Sequence, residues 1–247
     1  MDYLPIFIAL SLLAEFLGTI GGFGSSVFFV PIANFFLDFE SVLGITALFH
    51  LASNVSKIAL FRKGLDWPTI FKIGIPAVVM VIVGAWMSAW FPKTYLSLSL
   101  AIFLILLSST FLIKKNLVIQ PSVRNGVIGG AASGVFAGLL GTGGAIRGIT
   151  LAAFNLEKEV FIATSAVIDL GIDLSRSVVY FYNGYMHKHD LYLVPILLVI
   201  SIVGTYLGKI TLKRVSQERF RQLVLSLILI VGILGLLQYL FGWTLIK

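Results

Sequence analysis

Polar chemistry is scarce in this chain, and it falls in a few places. Arg147 follows a run of small residues, Gly141-Thr142-Gly143-Gly144. A second such run, Gly21-Gly22-Phe23-Gly24, is followed by Ser25 and Ser26 and preceded by Glu15. Asp169, Asp173 and Arg176 lie four and three residues apart, which places them on one face of a helix. His50 and Asn54 are four apart in another apolar stretch. These types suit anion recognition and proton exchange. A helix that starts just after a glycine break presents unpaired N–H groups and the positive end of its dipole, which together hold an anion. Ser25, Ser26 and Thr142 add hydroxyl donors, and Arg147 supplies a countercharge. A carboxylate or imidazole beside such a site changes its proton affinity as the anion comes and goes. Each feature has a plainer alternative. Glycines also serve close helix packing. Arg147 can form an ion pair with a nearby acid, Asp173 and Arg176 can simply close a polar core, and His50 can be a packed polar residue.

The surroundings of these residues decide the class. Of 247 residues, 58% are hydrophobic and 12% charged, and mean hydropathy is +1.02. A soluble domain carries about 25% charged residues. Apolar runs at 67–91, 94–113, 189–212 and 220–246 have the roughly 20 residues a spanning helix needs. The net charge of +7 reads as the Lys/Arg bias of cytoplasmic loops and not as a nucleic-acid surface. The absence of cysteine excludes disulfides, thiolate metal sites and cysteine nucleophiles. No Walker, GxSxG or HExxH motif is present, so the chain reads as a non-enzyme that needs no cofactor. His187 and His189 flank Lys188 beside Asp190; two imidazoles with no third ligand in view assign no metal site.

An offset of 120 residues aligns the halves without a gap from about 16 to 93. It pairs Gly18 with Gly138, Gly21 with Gly141, Gly24 with Gly144, Gly64 with Gly184 and Gly84 with Gly204. Residues 1–118 and 119–247 therefore read as two transmembrane repeats. Each opens with a glycine-broken segment and continues with three spanning helices. If the broken segments cross once, ten basic residues lie inside and seven outside. If they enter and return on one side, thirteen share a face: Lys57, Arg62, Lys63, Lys72, Lys114, Lys115, Arg124, Lys158, Lys209, Lys213, Arg214, Arg219 and Arg221. Lys93, Arg176, Lys188 and Lys247 are left opposite. The second count fits the positive-inside rule better. The expected fold is all-α and polytopic, with two inverted repeats, re-entrant or half-spanning hairpins, and both termini extracytoplasmic in the cell membrane. Pro31, Pro76 and Pro195 are expected to kink their helices.

The segments GGFGSSVFFVPI (21–32), KGLDW (63–67) and GLLGTGGAIRGITLAAF (138–154) resemble those of the sulfite exporter TauE/SafE family, over nearly the whole chain. That resemblance implies secondary transport of small sulfur-containing anions or related organic acids. Independently of it, two glycine breaks in corresponding halves point to a transporter site at the membrane midplane. The expected substrate site is Gly21, Gly22, Phe23, Gly24, Ser25, Ser26, Gly141, Thr142, Gly143, Gly144 and Arg147. His50, Asn54, Asp169, Asp173 and Arg176 are the candidates for coupling or gating. The expected partners are a small anion, the lipid bilayer and a coupling proton. An anion channel of the same fold and a non-transporting scaffold or sensor are the alternatives.

Overall fold

The computed structural model describes residues 3–22, 24–114, 119–212 and 217–241, without the side chains of 217–221 and 223–224. Phe23, Lys115, Lys213, Arg214 and Lys247, and the side chains of Arg219 and Arg221, lie outside this description. The described elements are helical: α1 (Leu4–Gly21), α2 (Ser26–Ala33), α3 (Phe39–Leu60), α4 (Trp67–Ser88), α5 (Lys93–Ile113), α6 (Val123–Leu140), α7 (Gly144–Ala152), α8 (Lys158–Tyr182), α9 (Leu193–Leu212) and α10 (Gln217–Phe241). Six of them, α1, α3, α4, α5, α6 and α9, are long and apolar enough to cross a membrane. α8 has the length as well, but it carries Asp169, Asp173 and Arg176.

α1 and α6 each end in a glycine with left-handed backbone, Gly22 (φ 68°) and Gly141 (φ 75°), where a side chain would be strained. The chain then turns back in both places. Phe29 of α2 meets Phe7 of α1, with ring centroids 6.0 Å apart, and Phe36 meets Tyr3 at 5.9 Å. In the second half Gly143 abuts Ser133, Thr150 abuts Gly129 and Phe154 abuts Gly126. Both glycine-broken segments are therefore helical hairpins. Their arms are unequal: 18 residues, about 27 Å, go in, and eight or nine return.

Contacts sort the loops into two ends. One gathers Tyr3, Phe36, Asp38, Glu40, Lys93 and the α8–α9 loop, where Lys93 Nζ meets Glu40 at 2.9 Å and the Tyr185 hydroxyl at 2.9 Å. The other gathers Leu60, Lys63, Asp66, Glu157 and Lys209, with Lys63 on Glu157 at 2.6 Å and Lys209 on the Leu60 carbonyl at 2.6 Å. Lys72 and Phe154 belong to that second end, as does Gly126 near the start of α6. α1 thus starts at one end of the bundle and α6 at the other.

Helix pairs cross between the halves: α1 packs on α9 and α6 on α4. The register is matched. A Cβ on Gly204 of α9 would fall 2.8 Å from Glu15 Cβ, and one on Gly84 of α4 would fall 2.3 Å from the Val135 carbonyl. Both contacts pair positions that the 120-residue offset equates. On α6, Gly130, Gly134 and Gly138 lie directly on the α4 backbone, with 2.2–2.3 Å from an added Cβ to the carbonyls of Ile73, Ala77 and Val81. Small residues at every fourth position allow this approach where lipid supplies no hydrophobic drive for association.

One proline expectation, that for Pro195, needs revision. Pro76 follows a π-helical turn, Ile70–Gly74, which includes Lys72, whose carbonyl a helical Pro76 cannot bond. Pro195 lies in the first turn of α9, where a missing N–H costs nothing, because the chain before Leu193 forms turns and not helix. Pro31 is interior to α2 as expected.

Gly134→Ala should lower the stability of the detergent-purified protein by about 1–3 kcal/mol through overpacking. Thermal unfolding of the variant checks this, and an unchanged midpoint would contradict the packing described.

Candidate functional site

Hairpin tips from the two halves meet in the middle of the bundle. Thr142 Oγ1 lies 3.4 Å from Ser26 Oγ. One turn into α7, Arg147 is 2% exposed; its Nη2 pairs with Asp169 Oδ2 of α8 and its Nε with Ser165 Oγ at 3.4 Å. Gly24 of the opposing tip faces the same pair: a Cβ there would stand 3.5 Å from Arg147 Nη2, 3.9 Å from Asp169 Oδ2 and 3.8 Å from Ser26 Oγ. Asp169 is the more exposed partner, its side chain 15% accessible against 2% for Arg147. The fold therefore brings Gly24, Ser26, Thr142, Arg147 and Asp169 together, along with Ser165.

The other glycines are differently engaged. Gly141 would clash with Leu43 and Gly143 with the Ser133 carbonyl if they bore side chains, so the second tip is packed tightly. Gly22 abuts Phe161 of α8. Gly144 is buried at the start of α7, and Gly21, at the end of α1, is partly buried.

Ser25 turns away from the opposing tip into a second cluster. Its hydroxyl donates to Glu15 Oε2 and lies 3.2 Å from His50 Nε2. Glu15 is fully buried and also accepts from Ser53 (2.6 Å) and Thr205 (2.9 Å), while Lys57 Nζ pairs with it at 2.9 Å. One carboxylate thus ties α1, the first tip, α3 and α9. A hydrolytic triad places its acid behind the imidazole; here the acid accepts the serine's hydrogen bond directly.

The third cluster closes the second hairpin. Arg176 pairs with Asp173 (2.7 Å) and donates to the Gly141 carbonyl at 2.7 Å and the Ala137 carbonyl at 3.1 Å. It thereby satisfies the end of α6, where the helix dipole favours a cation. The Tyr180 hydroxyl donates to the Gly138 carbonyl at 2.6 Å. Asn54 of α3 donates to Asp173 Oδ2 at 2.7 Å, so α3 and α8 are joined at this level.

Lys57 was counted with the loop cations from sequence, and Arg176 with the opposite face; both are buried and paired. Without them, the described side chains leave seven basic residues of the first group, Arg62, Lys63, Lys72, Lys114, Arg124, Lys158 and Lys209, and two of the second, Lys93 and Lys188. The Glu15–Lys57 pair had no spacing signal, since its members are 42 residues apart on different helices. Ser165 was legible only as the residue one turn before Asp169. At the end of the bundle that holds Lys209, a depression of about 460 Å³ is lined by Ala59, Leu60, Arg62, Lys63, Glu159 and Lys209.

Comparisons agree with the resemblance read in the sequence. The family profile described as sulfite exporter TauE/SafE matches residues 7–234. A relative from Methanocaldococcus jannaschii, described as a probable membrane transporter protein, is 24% identical over 96% of each chain. No solved structure matches.

Lys57→Met alone should cost about 3–5 kcal/mol by stranding the Glu15 charge. Glu15→Gln with Lys57→Met should cost less than that single variant. Unfolding of both proteins in one detergent checks this, and additive losses would show that the two charges do not compensate each other.

Proposed function

The chain belongs to the sulfite exporter TauE/SafE family and is a multi-pass membrane transporter; from that premise we propose that it carries small anions, sulfur oxyanions or sulfonates first among them, through a site between the hairpin tips. The observation that carries this reading is Arg147, buried where Gly24, Ser26 and Thr142 converge and paired with the more accessible Asp169. An anion arriving there replaces Asp169 as the partner of Arg147. Gly24 and the hydroxyls of Ser26 and Thr142 form the rest of its lining. The tightly packed Gly141 and Gly143 support this lining, and Gly144 is buried beside it at the start of α7.

Charge balance supports proton coupling. Among the described residues of the bundle's interior, Arg147, Arg176 and Lys57 are matched by Asp169, Asp173 and Glu15. An added anion leaves one negative charge uncompensated in a medium that penalises it heavily. A proton taken up by the displaced Asp169 restores neutrality, so anion and proton travel together. Asp173, Arg176 and Asn54 transmit the change, because they bind the second tip to α3 and α8. His50 and Ser25 do the same for the first tip. The basic depression near Lys209 concentrates anions at that end.

Residues 1–118 and 119–247 act in this reading as two inverted repeats that rock about the site. The opposite starting ends of α1 and α6 and the matched Glu15–Gly204 and Val135–Gly84 contacts support it. The excess of seven basic residues over two among the described side chains supports a cytoplasmic location for the end with Lys209, and an extracytoplasmic one for the termini in a cell membrane.

Uptake of a labelled sulfonate or thiosulfate into proteoliposomes tests the reading, with orientation fixed by labelling Tyr3→Cys in this cysteine-free chain. Accumulation should follow an imposed proton gradient. Arg147→Ala should weaken apparent affinity about 10–100-fold, the worth of a hydrogen-bonded charge, and Arg124→Ala, on the exposed start of α6, should not. Asp169→Asn should abolish the response to the gradient. Flux indifferent to the gradient in the unaltered protein would refute the coupling, and equal affinities in the two arginine variants would refute the site. Labelling of Tyr3→Cys in cells from the cytoplasm alone would reverse the orientation.

A further inference from the structure

The end of the bundle opposite Lys209 holds a polar cluster that transport does not use. Asp38 caps α3: its Oδ1 accepts the Ser41 N–H at 3.0 Å. That leaves Oδ2 turned toward the α8–α9 loop, where a tight turn, closed by the Asp190 N–H on the His187 carbonyl at 3.0 Å, presents His187, His189 and Asp190. One ligand atom from each of Asp38, His187, His189 and Asp190 lies within 4.8 Å of all the others. His187 Nδ1 is 3.6 Å from Asp38 Oδ2, and His189 Nε2 is 3.3 Å from Asp190 Oδ2. Four ligands around Zn²⁺, with bonds of about 2.0–2.2 Å, stand roughly 3.3–3.5 Å apart. The cluster must contract from 4.8 Å to that size when it binds.

Its charge and hydrogen bonding ask for a cation. Glu40 is matched by Lys93 at 2.9 Å, which leaves Asp38 and Asp190 with two negative charges and no lysine or arginine partner among the described residues. The Ser41 hydroxyl faces Asp38 Oδ2 (2.7 Å), Asp190 Oδ2 (2.5 Å) and His187 Nδ1 (2.7 Å), and its single proton cannot serve all three. Ser41 is fully buried and Asp190 is 5% exposed, so water reaches Asp190 poorly, while Asp38 and His189 face solvent, from which a metal ion can enter. His187 Nε2 faces Glu40 Oε2 at 3.8 Å. A carboxylate behind an imidazole is the usual means of aiming its other nitrogen at a metal.

The geometry points to a divalent transition-metal site, suited to Zn²⁺, formed by Asp38, His187, His189 and Asp190. Two imidazoles and two carboxylates are hard-to-borderline ligands that zinc accepts in a tetrahedron. The metal joins the α2–α3 turn to the α8–α9 loop and so fixes α3 against α8 and α9 at this end. Sequence hid the site because Asp38 stands 149 residues before His187.

The test uses full-length protein purified without a polyhistidine tag, stripped with chelator and titrated with Zn²⁺ by calorimetry. Co²⁺ absorption reads the geometry. One Zn²⁺ per chain and a tetrahedral Co²⁺ spectrum are expected. Glu40→Gln should weaken binding about 10-fold or more. His189→Ala should abolish the Co²⁺ spectrum while leaving metal-free melting unchanged, since His189 is 74% exposed at its side chain. No stoichiometric Zn²⁺ on the unaltered protein, or an affinity that His189→Ala leaves intact, would overturn the site and leave an imidazole–carboxylate cluster that only bridges two loops.

Discussion

Among the described residues, three ion pairs lie inside an apolar bundle, and the need of their charges to neutralise one another organises the rest of the molecule. Each ion would cost several kcal/mol to bury alone. Glu15 with Lys57 and Arg147 with Asp169 share that cost across helices, and Asp173 with Arg176 share it within α8. None of the pairs merely decorates one element. The first ties α1 to α3, with Thr205 bringing in α9. The second ties α7 to α8. The third holds the C-terminal carbonyls of α6 and reaches α3 through Asn54. The hairpins, which expose unpaired backbone ends at membrane depth, are thereby fixed to the helices around them.

The three pairs are not equivalent. Glu15 is surrounded by donors and Asp173 by Arg176 and Asn54, so both carboxylates have their acceptor positions filled. Asp169 has Arg147 and a distant Ser165 hydroxyl and is the most accessible of the three. In the proposed mechanism it is the carboxylate that an incoming anion displaces with least disturbance. Around Gly24 a Cβ would meet only ordinary contacts, at 3.5–3.9 Å, whereas Gly141 and Gly143 of the second tip leave no space for one.

Much of the architecture was legible because lipid imposes simple rules. Long apolar runs, glycine breaks at equivalent positions and the lopsided basic residues carried the all-helical, multi-pass reading, and the hairpins followed from the charge count. The glycines were readable as important but not as to why. Gly24 faces the arginine, whereas Gly130, Gly134, Gly138 and Gly143 serve close packing. Arg147 and Asp169 were each visible as intramembrane charges, yet only the fold joins positions 22 residues apart on α7 and α8. Lys57 misled because a lysine near a helix end reads as a loop cation until its partner on α1 is seen. The Asp38–His187 cluster was hidden for the same reason, its halves lying in distant loops.

The most direct measurement is cross-linking between the tips. Ser26→Cys with Thr142→Cys introduces the only two thiols in the chain, at side chains whose oxygens are 3.4 Å apart. Mild oxidation followed by counting free thiols should find none, and a bound small sulfonate should slow the loss by standing between the tips. Two thiols that stay free under oxidation, or a rate indifferent to sulfonate, would contradict a substrate site where the hairpins meet.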